Sequence, residues 1–320
     1  LTSSGVTGIL PIANGGTGSS TQNFVDLTTA QTISGAKVFS SNASFNGQQI
    51  GKGNATGGEN LAVGNEAMNG TSTGVRNTAI GHMAMRSYVG TSFDNNTSIG
   101  YKNLNILTSG DGNTSVGAES MMHLLTGTNN TSVGNQSLIN TTGNHNVGIG
   151  TRSGQTITSG GGNTVIGTNA DVGTNSLTNA TALGYQAMVN ASNKIRLGNS
   201  SVSVIEGQVA FSNASDARLK RDIRDSKYGL HTIMQLRPVD YTLIDNNLRQ
   251  VGFIAQEVQP IVTEVVTGKE GAIEKGETLG ITYASFTPIL AKAIQEQQVL
   301  IHKQELMNKE LEAQVAYLKE

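Results

Sequence analysis

Ser215 and Lys220 stand five residues apart in the stretch Ala214-Ser215-Asp216-Ala217-Arg218-Leu219-Lys220. A serine hydroxyl is a poor nucleophile until a base takes its proton. A lysine can be that base only as a neutral amine, a state that burial favours. The chemistry open to such a pair is cleavage of a peptide bond. Asp216, Arg218 and Asp222 are the nearby charges that could orient it. Alone, the spacing fits a capped turn beside a solvated lysine better than an active dyad. Other candidates are weaker. The five histidines (His82, His123, His145, His231, His302) are dispersed, without the spacing of metal ligands, and no cofactor or metal is expected. Ser159-Gly160-Gly161-Gly162-Asn163 is glycine-rich but lacks the Lys-Ser/Thr of a phosphate loop. The acidic residues before position 211 are scattered rather than paired as a glycosidase requires.

The candidate pair sits at a border in composition. Residues 1–210 hold 8 Lys/Arg and 8 Asp/Glu, against 13 and 15 in the shorter remainder. Glycine accounts for 40 of the 320 residues and aromatics for 4%, which suits repetitive β structure with Gly/Asn turns better than one large core. The net charge of −2 gives no electrostatic case for nucleic acid. No apolar run reaches membrane-spanning length, so no membrane insertion is expected. The chain contains no cysteine, which excludes disulfides, and it begins at Leu1, as expected of a C-terminal piece of a longer protein.

Residues 1–53 are Thr/Ser/Gly-rich, with strand-like stretches at 28–39 and 43–50, and are expected to form a β linker. Residues 54–198 are a repeat array. Its marker is a small polar stretch, an aliphatic residue and a glycine, as in Asn77-Thr78-Ala79-Ile80-Gly81 and Asn113-Thr114-Ser115-Val116-Gly117. The marker glycines, from Gly64 to Gly198, are 17, 19, 17, 17, 16, 17, 17 and 14 residues apart. A second apolar site follows most markers, for example Ala67-Met68, Ala84-Met85, Leu104, Met121 and Leu138. This period is too short for helical repeats and fits one coil of a β-solenoid with two short strands and two turns. Each coil supplies only one or two inward aliphatic side chains, so stacking must make the core continuous. Regular apolar spacing over nine copies argues against disorder.

Residues 199–215 contain the strand-like pieces Ser201–Ile205 and Gln208–Phe211 and form a β connector to the junction. Residues 216–320 read as a small α+β unit. It has a short helix at 228–236 ended by Arg237-Pro238, a hairpin over 241–254, a helical turn at 255–261, and strands at 264–266 and 279–283. Ser285 is the expected N-cap of a last helix, about 286–320, with Pro288 in its first turn. Ile294, Ile301, Asn308 and Val315 share one heptad position and Gln297, Gln304, Leu311 and Leu318 the other, a coiled-coil seam with polar layers. The fold class is therefore mainly β: a β-solenoid or β-roll, then a small α+β domain ending in a coiled-coil helix.

Several residues of this last unit carry a resemblance. Ser215-Asp216-Ala217-Arg218-Leu219-Lys220 with Ile223, Leu236-Arg237-Pro238-Val239 with Tyr241, Gly252-Phe253-Ile254-Ala255-Gln256-Glu257 and Ile281-Thr282-Tyr283 together resemble the endosialidase-type intramolecular chaperone, over about residues 211–320. The repeat array is similar to the β-roll heads of trimeric autotransporter adhesins, though its period is longer. The first resemblance implies a homotrimer whose chaperone domain aligns three β-rich stalks and then removes itself. It makes Ser215 the nucleophile and Lys220 the base, and the cut falls at Ser215-Asp216 or, through an N→O acyl shift, at Ala214-Ser215. The family context implies a phage tail fibre or spike, part of a virion, that binds a bacterial surface glycan or another host receptor. A bacterial trimeric surface adhesin is the alternative. A depolymerising enzyme is the third reading.

Overall fold

The computed structural model describes residues 41–70, 72–86, 92–209, 211–245, 247–273 and 277–319. The expected strand at 28–39 and most of the 1–53 linker lie outside them. The expected strand at 43–50 is a hairpin, β1 (Ala43–Phe45) and β2 (Gln48–Gly51), closed by Asn46-Gly47. Both turn residues take positive φ (49° and 79°), the pattern that Asn-Gly supplies for a tight hairpin.

The repeats form a β-solenoid. Its strands are β3 (Leu61–Val63), β4 (Thr78–Ile80), β5 (Thr97–Ile99), β6 (Thr114–Val116), β7 (Thr131–Val133), β8 (Val147–Ile149), β9 (Thr164–Ile166), β11 (Thr181–Leu183) and β13 (Ile195–Leu197). They pair in parallel, marker on marker, with β2 closing the first edge antiparallel to β3. The marker glycines explain the register. Gly64, Gly81, Gly100, Gly117, Gly134, Gly150 and Gly167 hold φ between 125° and 136°, and a Cβ on any of them would stand 2.1–2.8 Å from the glycine of the next coil. No other residue permits that approach.

The marker asparagines form a second ladder. The backbone N–H of Asn77, Asn96, Asn113, Asn130, Asn146, Asn163 and Ala180 donates to Oδ1 of the preceding asparagine at 2.8–3.0 Å. Each Nδ2 in turn donates to a backbone carbonyl, as Asn113 does to Gly127 O at 2.8 Å. Six of these asparagines, Asn77 to Asn163, are fully buried, and the ladder satisfies them. Ser115, Ser120 and Ser132 form a hydroxyl chain in the same interior at 2.6–2.8 Å.

The second apolar site differs from expectation. It was read as a second strand in each coil, but it is a run of turns with left-handed residues at the second and fourth positions after the glycine. Lys102 and Leu104 (φ 49° and 47°), Glu119 and Met121 (56° and 46°), and Gln136 and Leu138 (54° and 47°) show the pattern. The bend aims Met85, Leu104, Met121 and Leu138 inward, where they are fully buried. Its backbone is still bonded coil to coil, as Met121 N to Ser137 O at 3.0 Å. Only at the C-terminal end does this side become a ladder, β10 (Asp171–Val172) parallel to β12 (Met188–Val189).

The central residue of each strand before β13 points inward and is mostly small: Ala62, Ala79, Ser98, Ser115, Ser132, Val165 and Ala182 are all buried. The third residue points out. Val63, Ile80, Ile99, Val116, Val133, Ile149, Ile166, Leu183 and Leu197 stack in register as an aliphatic row. Five of these nine are 37–44% exposed, so the chain leaves the row uncovered.

Among the described residues of the connector, 199–209 and 211–215, the single chain forms no strand. Its alternating side chains find no sheet of their own, and Val204, Val209 and Phe211 are exposed. The following unit holds α1 (Leu230–Ile233), the hairpin β14 (Val239–Thr242) and β15 (Arg249–Gly252), α2 (Ala255–Val258), and the antiparallel pair β16 (Val266–Gly268) and β17 (Leu279–Ile281). It ends in α3 (Phe286–Tyr317), preceded by a 3-10 turn over Tyr283–Ser285. Because that turn already winds the chain, Ser285 has helical φ/ψ and makes no side-chain cap, contrary to the sequence reading. Val258, Val262, Val265, Phe286 and Ile289 form the core, ringed by Tyr228, Ile233, Leu236, Phe253 and Ile281. The expected seam of α3 is solvent-facing: Ile294, Leu311 and Leu318 are exposed.

Two predictions follow from the solenoid. Gly117→Ala, with φ 132° and Gly134 O at 2.4 Å, should lower stability by at least about 2 kcal/mol in urea unfolding. Gly58→Ala, which meets nothing within 4 Å, should not move the midpoint. Burial raises the pKa of Asp171, and hydrogen bonds from Val172 and Thr156 offset this only in part. Between the ordinary carboxylate value and the raised folded value, the folded chain keeps a proton that the unfolded chain has lost. Stability therefore falls as pH rises through that window. Asp171→Asn should unfold at higher temperature than wild type at pH 7, with the gap closing below pH about 4. A gap independent of pH would exclude the titration.

Candidate functional site

The junction is a single 3-10 turn over Ala217–Leu219. Asp216 leads into it with extended backbone (φ −62°, ψ 135°), and Leu219 N and Lys220 N donate to Asp216 O and Ala217 O, both at 3.0 Å. The turn folds Lys220 back so that Nζ donates to Ser215 Oγ at 2.7 Å. The two residues chosen from the sequence as nucleophile and base are thus in direct hydrogen-bond contact, the geometry a proton transfer needs.

Asp216 and Arg218 lie in the same turn. Asp216 Oδ1 accepts Arg218 N–H at 2.9 Å, and the guanidinium grips both carboxylate oxygens, with Nε at 3.0 and 3.1 Å and Nη2 at 2.6 Å. The Arg218 side chain holds Asp216 below the usual carboxylate range, and Asp216 raises Arg218 in return. Asp222 is not drawn in. It has a left-handed backbone (φ 54°), and the ion pair the structure gives it is a loose one with Arg221 at 3.9 Å. Every residue from 211 to 227 is exposed.

The remaining motif residues explain one another through contacts. Tyr283 Oη accepts Phe253 N–H at 3.0 Å, and the Phe253, Tyr283 and Phe286 rings cluster at centroid distances of 5.4–6.5 Å. Gly252 makes room for that hydroxyl, since a Cβ there would stand 2.1 Å from it. Arg237, between α1 and β14, pairs with Glu257 on α2, Nε to Oε2 at 3.1 Å, and holds Glu257 below its ordinary value. Sequence reasoning found these residues as motifs but not as pairs. It missed Glu296 on α3, whose carboxylate accepts Leu230 N–H at 2.8 Å and ties α3 to α1. One glutamate on a polar helix face carries no sequence signal of such a role. It also missed Tyr228 donating to Glu264 at 2.5 Å, which holds Glu264 below the ordinary carboxylate range.

The motif residues therefore divide by environment. Gly252, Phe253, Arg237, Glu257 and Tyr283 stitch the domain together. Ser215, Leu219, Lys220 and Ile223 stand in solvent, with Leu219 and Ile223 more than 70% exposed. Among the described residues no three His, Asp or Glu side chains are grouped to hold a metal ion, and no helix is long and apolar enough to cross a membrane. The solenoid carboxylates Asp94 and Asp111 accept backbone N–H groups of the coil before, at 2.8 and 2.7 Å, rather than facing each other across a cleft.

Residues 215–267 match the family model described as chaperone of endosialidase. The match opens on Ser215 and runs into β16, so it takes in the dyad, the Arg237–Glu257 pair and Gly252-Phe253. No curated protein and no solved structure matches the chain.

The Gly252–Tyr283 fit is testable. Tyr283→Phe should cost about 1 kcal/mol by loss of the bond to Phe253 N–H. Gly252→Ala should cost more in the wild type than in the Tyr283→Phe background, a coupling read from a double-mutant cycle. Additive effects would mean that the hydroxyl does not need the space.

Proposed function

We propose that this chaperone-of-endosialidase segment, placed after a β-solenoid, is the C-terminal folding module of a homotrimeric tail fibre or spike and removes itself by Ser–Lys autoproteolysis. The family match supports an extracellular tail or surface protein of this type. The observation that carries the cleavage reading is the 2.7 Å contact between Lys220 Nζ and Ser215 Oγ at the start of the matched segment.

Three uncovered apolar features support the trimer. The aliphatic row of the solenoid, the connector with Val204, Val209 and Phe211, and the seam of α3 occur in series along the chain. A partner that complements all three in order is another copy of the same chain. Trimerisation also bears on the chemistry. Lys220 acts as a base only where burial favours the neutral amine, and its own chain leaves it exposed. Neighbouring copies would supply that burial.

Ring size separates the two possible cuts. Attack of Ser215 Oγ on the Ala214 carbonyl passes through a five-membered ring. Lys220 takes the hydroxyl proton and returns it to Ser215 N as the peptide bond breaks, and water then hydrolyses the ester, leaving a carboxylate on Ala214. Attack on the carbonyl of Ser215 itself would close a strained four-membered ring. A cut at Ser215-Asp216 therefore uses water, which gives its proton to the Ser215–Lys220 pair and adds to the carbonyl carbon; the pair passes that proton to the nitrogen of Asp216, which leaves as an amine while Ser215 keeps the new carboxylate.

Receptor binding, to a bacterial surface glycan or another host molecule, falls to the exposed turns of the solenoid. A bacterial surface adhesin built on the same module is the alternative context, and an anchor encoded upstream would identify it.

Denaturing intact mass of wild type beside Ser215→Ala and Lys220→Ala tests the central step. Wild type should give two fragments and both variants one uncut chain, with the fragment masses identifying the broken bond. Sedimentation should give three copies per particle in all three proteins. An uncut wild-type trimer would leave a permanent trimerisation cap and remove the protease.

A further inference from the structure

Resting on the dyad reading, we propose that Asp216 is a positioning residue: its carboxylate caps the 217–219 turn and thereby sets the distance over which Lys220 reaches Ser215. Five residues of extended chain would span about 17 Å, farther than a lysine side chain reaches, so the backbone must reverse for the pair to meet. The reversal is one isolated 3-10 turn with two backbone hydrogen bonds and no buried residue. A single turn is a costly nucleus, and every residue of this one is exposed. What holds it is local: Asp216 Oδ1 on Arg218 N–H at 2.9 Å, with the carboxylate itself fixed by the Arg218 guanidinium.

Arg218 has a second consequence. An uncompensated carboxylate one residue from the nucleophile would favour the charged form of Lys220 and so oppose its use as a base. Arg218 cancels that charge in place, so Asp216 can cap the turn without that penalty. The other charges near Lys220 in sequence are Arg221 and Asp222, which face each other at 3.9 Å. Arg224 and Asp225 follow in the same exposed stretch, 211–227.

The test uses the full chain and the single-turnover rate of self-cleavage, read by denaturing intact mass over time and over pH. Asp216→Asn keeps an oxygen that accepts Arg218 N–H and should stay within about tenfold of wild type, whereas Asp216→Leu, with no acceptor, should lose about a hundredfold. Arg218→Gln should move the rising limb of the pH–rate profile to higher pH, a change that a purely structural role would not produce. All three should sediment as Ser215→Ala does. The proposal is overturned if Asp216→Leu cleaves at the wild-type rate, if Asn and Leu lose equally, if the profile of Arg218→Gln does not shift, or if the Leu variant no longer assembles. A wild type that stays whole would instead overturn the dyad on which the proposal rests.

Discussion

Everything in the solenoid depends on stacking successive coils at backbone hydrogen-bond distance around their whole circumference. Neighbouring strands lie about 4.8 Å apart, and no Cβ can stand between two marker glycines whose backbones meet at that spacing. The glycines supply the space, and the buried asparagines convert it into bonds by carrying one coil's backbone N–H on the previous coil's side chain. The interior is correspondingly thin. Alanine and serine line most of the strand side, and one or two larger side chains per coil, such as Leu104 with Leu107 and Met121 with Leu124, fill the other. Such a structure gains little from burial within each coil and much from ladders that run through all of them, so its stability is close to a sum of nearest-neighbour terms.

The same regularity creates a register problem. Each coil presents nearly the same outer surface, an aliphatic third residue flanked by threonine or serine, so two copies displaced by one coil would still meet apolar row on apolar row. Repeats alone specify register weakly. The C-terminal unit is the opposite kind of structure. Its contacts occur once: Glu296 on Leu230 N–H, Arg237 on Glu257, Tyr283 in the space left by Gly252. A non-repeating module fused to a repeating one can fix which coil faces which, and in the proposed trimer the C-terminal unit would do this.

The stacking period and the marker glycines were legible in the sequence because each is a repeated signal. The turn run was not. Met121 and Leu138 sit in the left-handed region, where propensity argues against any bulky side chain, and only the coil-to-coil bonds of their backbones hold them there. The sequence suggested a strand because the inward apolar residue is the same in either conformation. Ser285 failed as a cap for a similar reason: the 3-10 turn before it already winds the chain. In the candidate site, Ser215 and Lys220 were named from a motif, and Asp222 was named with them from proximity in sequence. The structure joins Asp216 and Arg218 to the turn and leaves Asp222 outside it, because its left-handed backbone follows the point where the turn ends.

The exposure of the dyad fits the order of events that a removable chaperone requires. A cut made before register is set would release the register-setting unit too early, and the stalks would be left to pair among many near-equivalent alignments. In the proposed mechanism, a base that depends on burial by neighbouring copies would tie the cut to assembly, with no separate regulator. Hydrolysis would then make the step one-way. With the C-terminal unit no longer covalently attached, an unfolded stalk would lack the contacts that fixed its alignment, so the assembled stalk would persist through the height of its unfolding barrier rather than through equilibrium stability. On this reading the thin core of each coil is sufficient, because the folded array has only to be reached once.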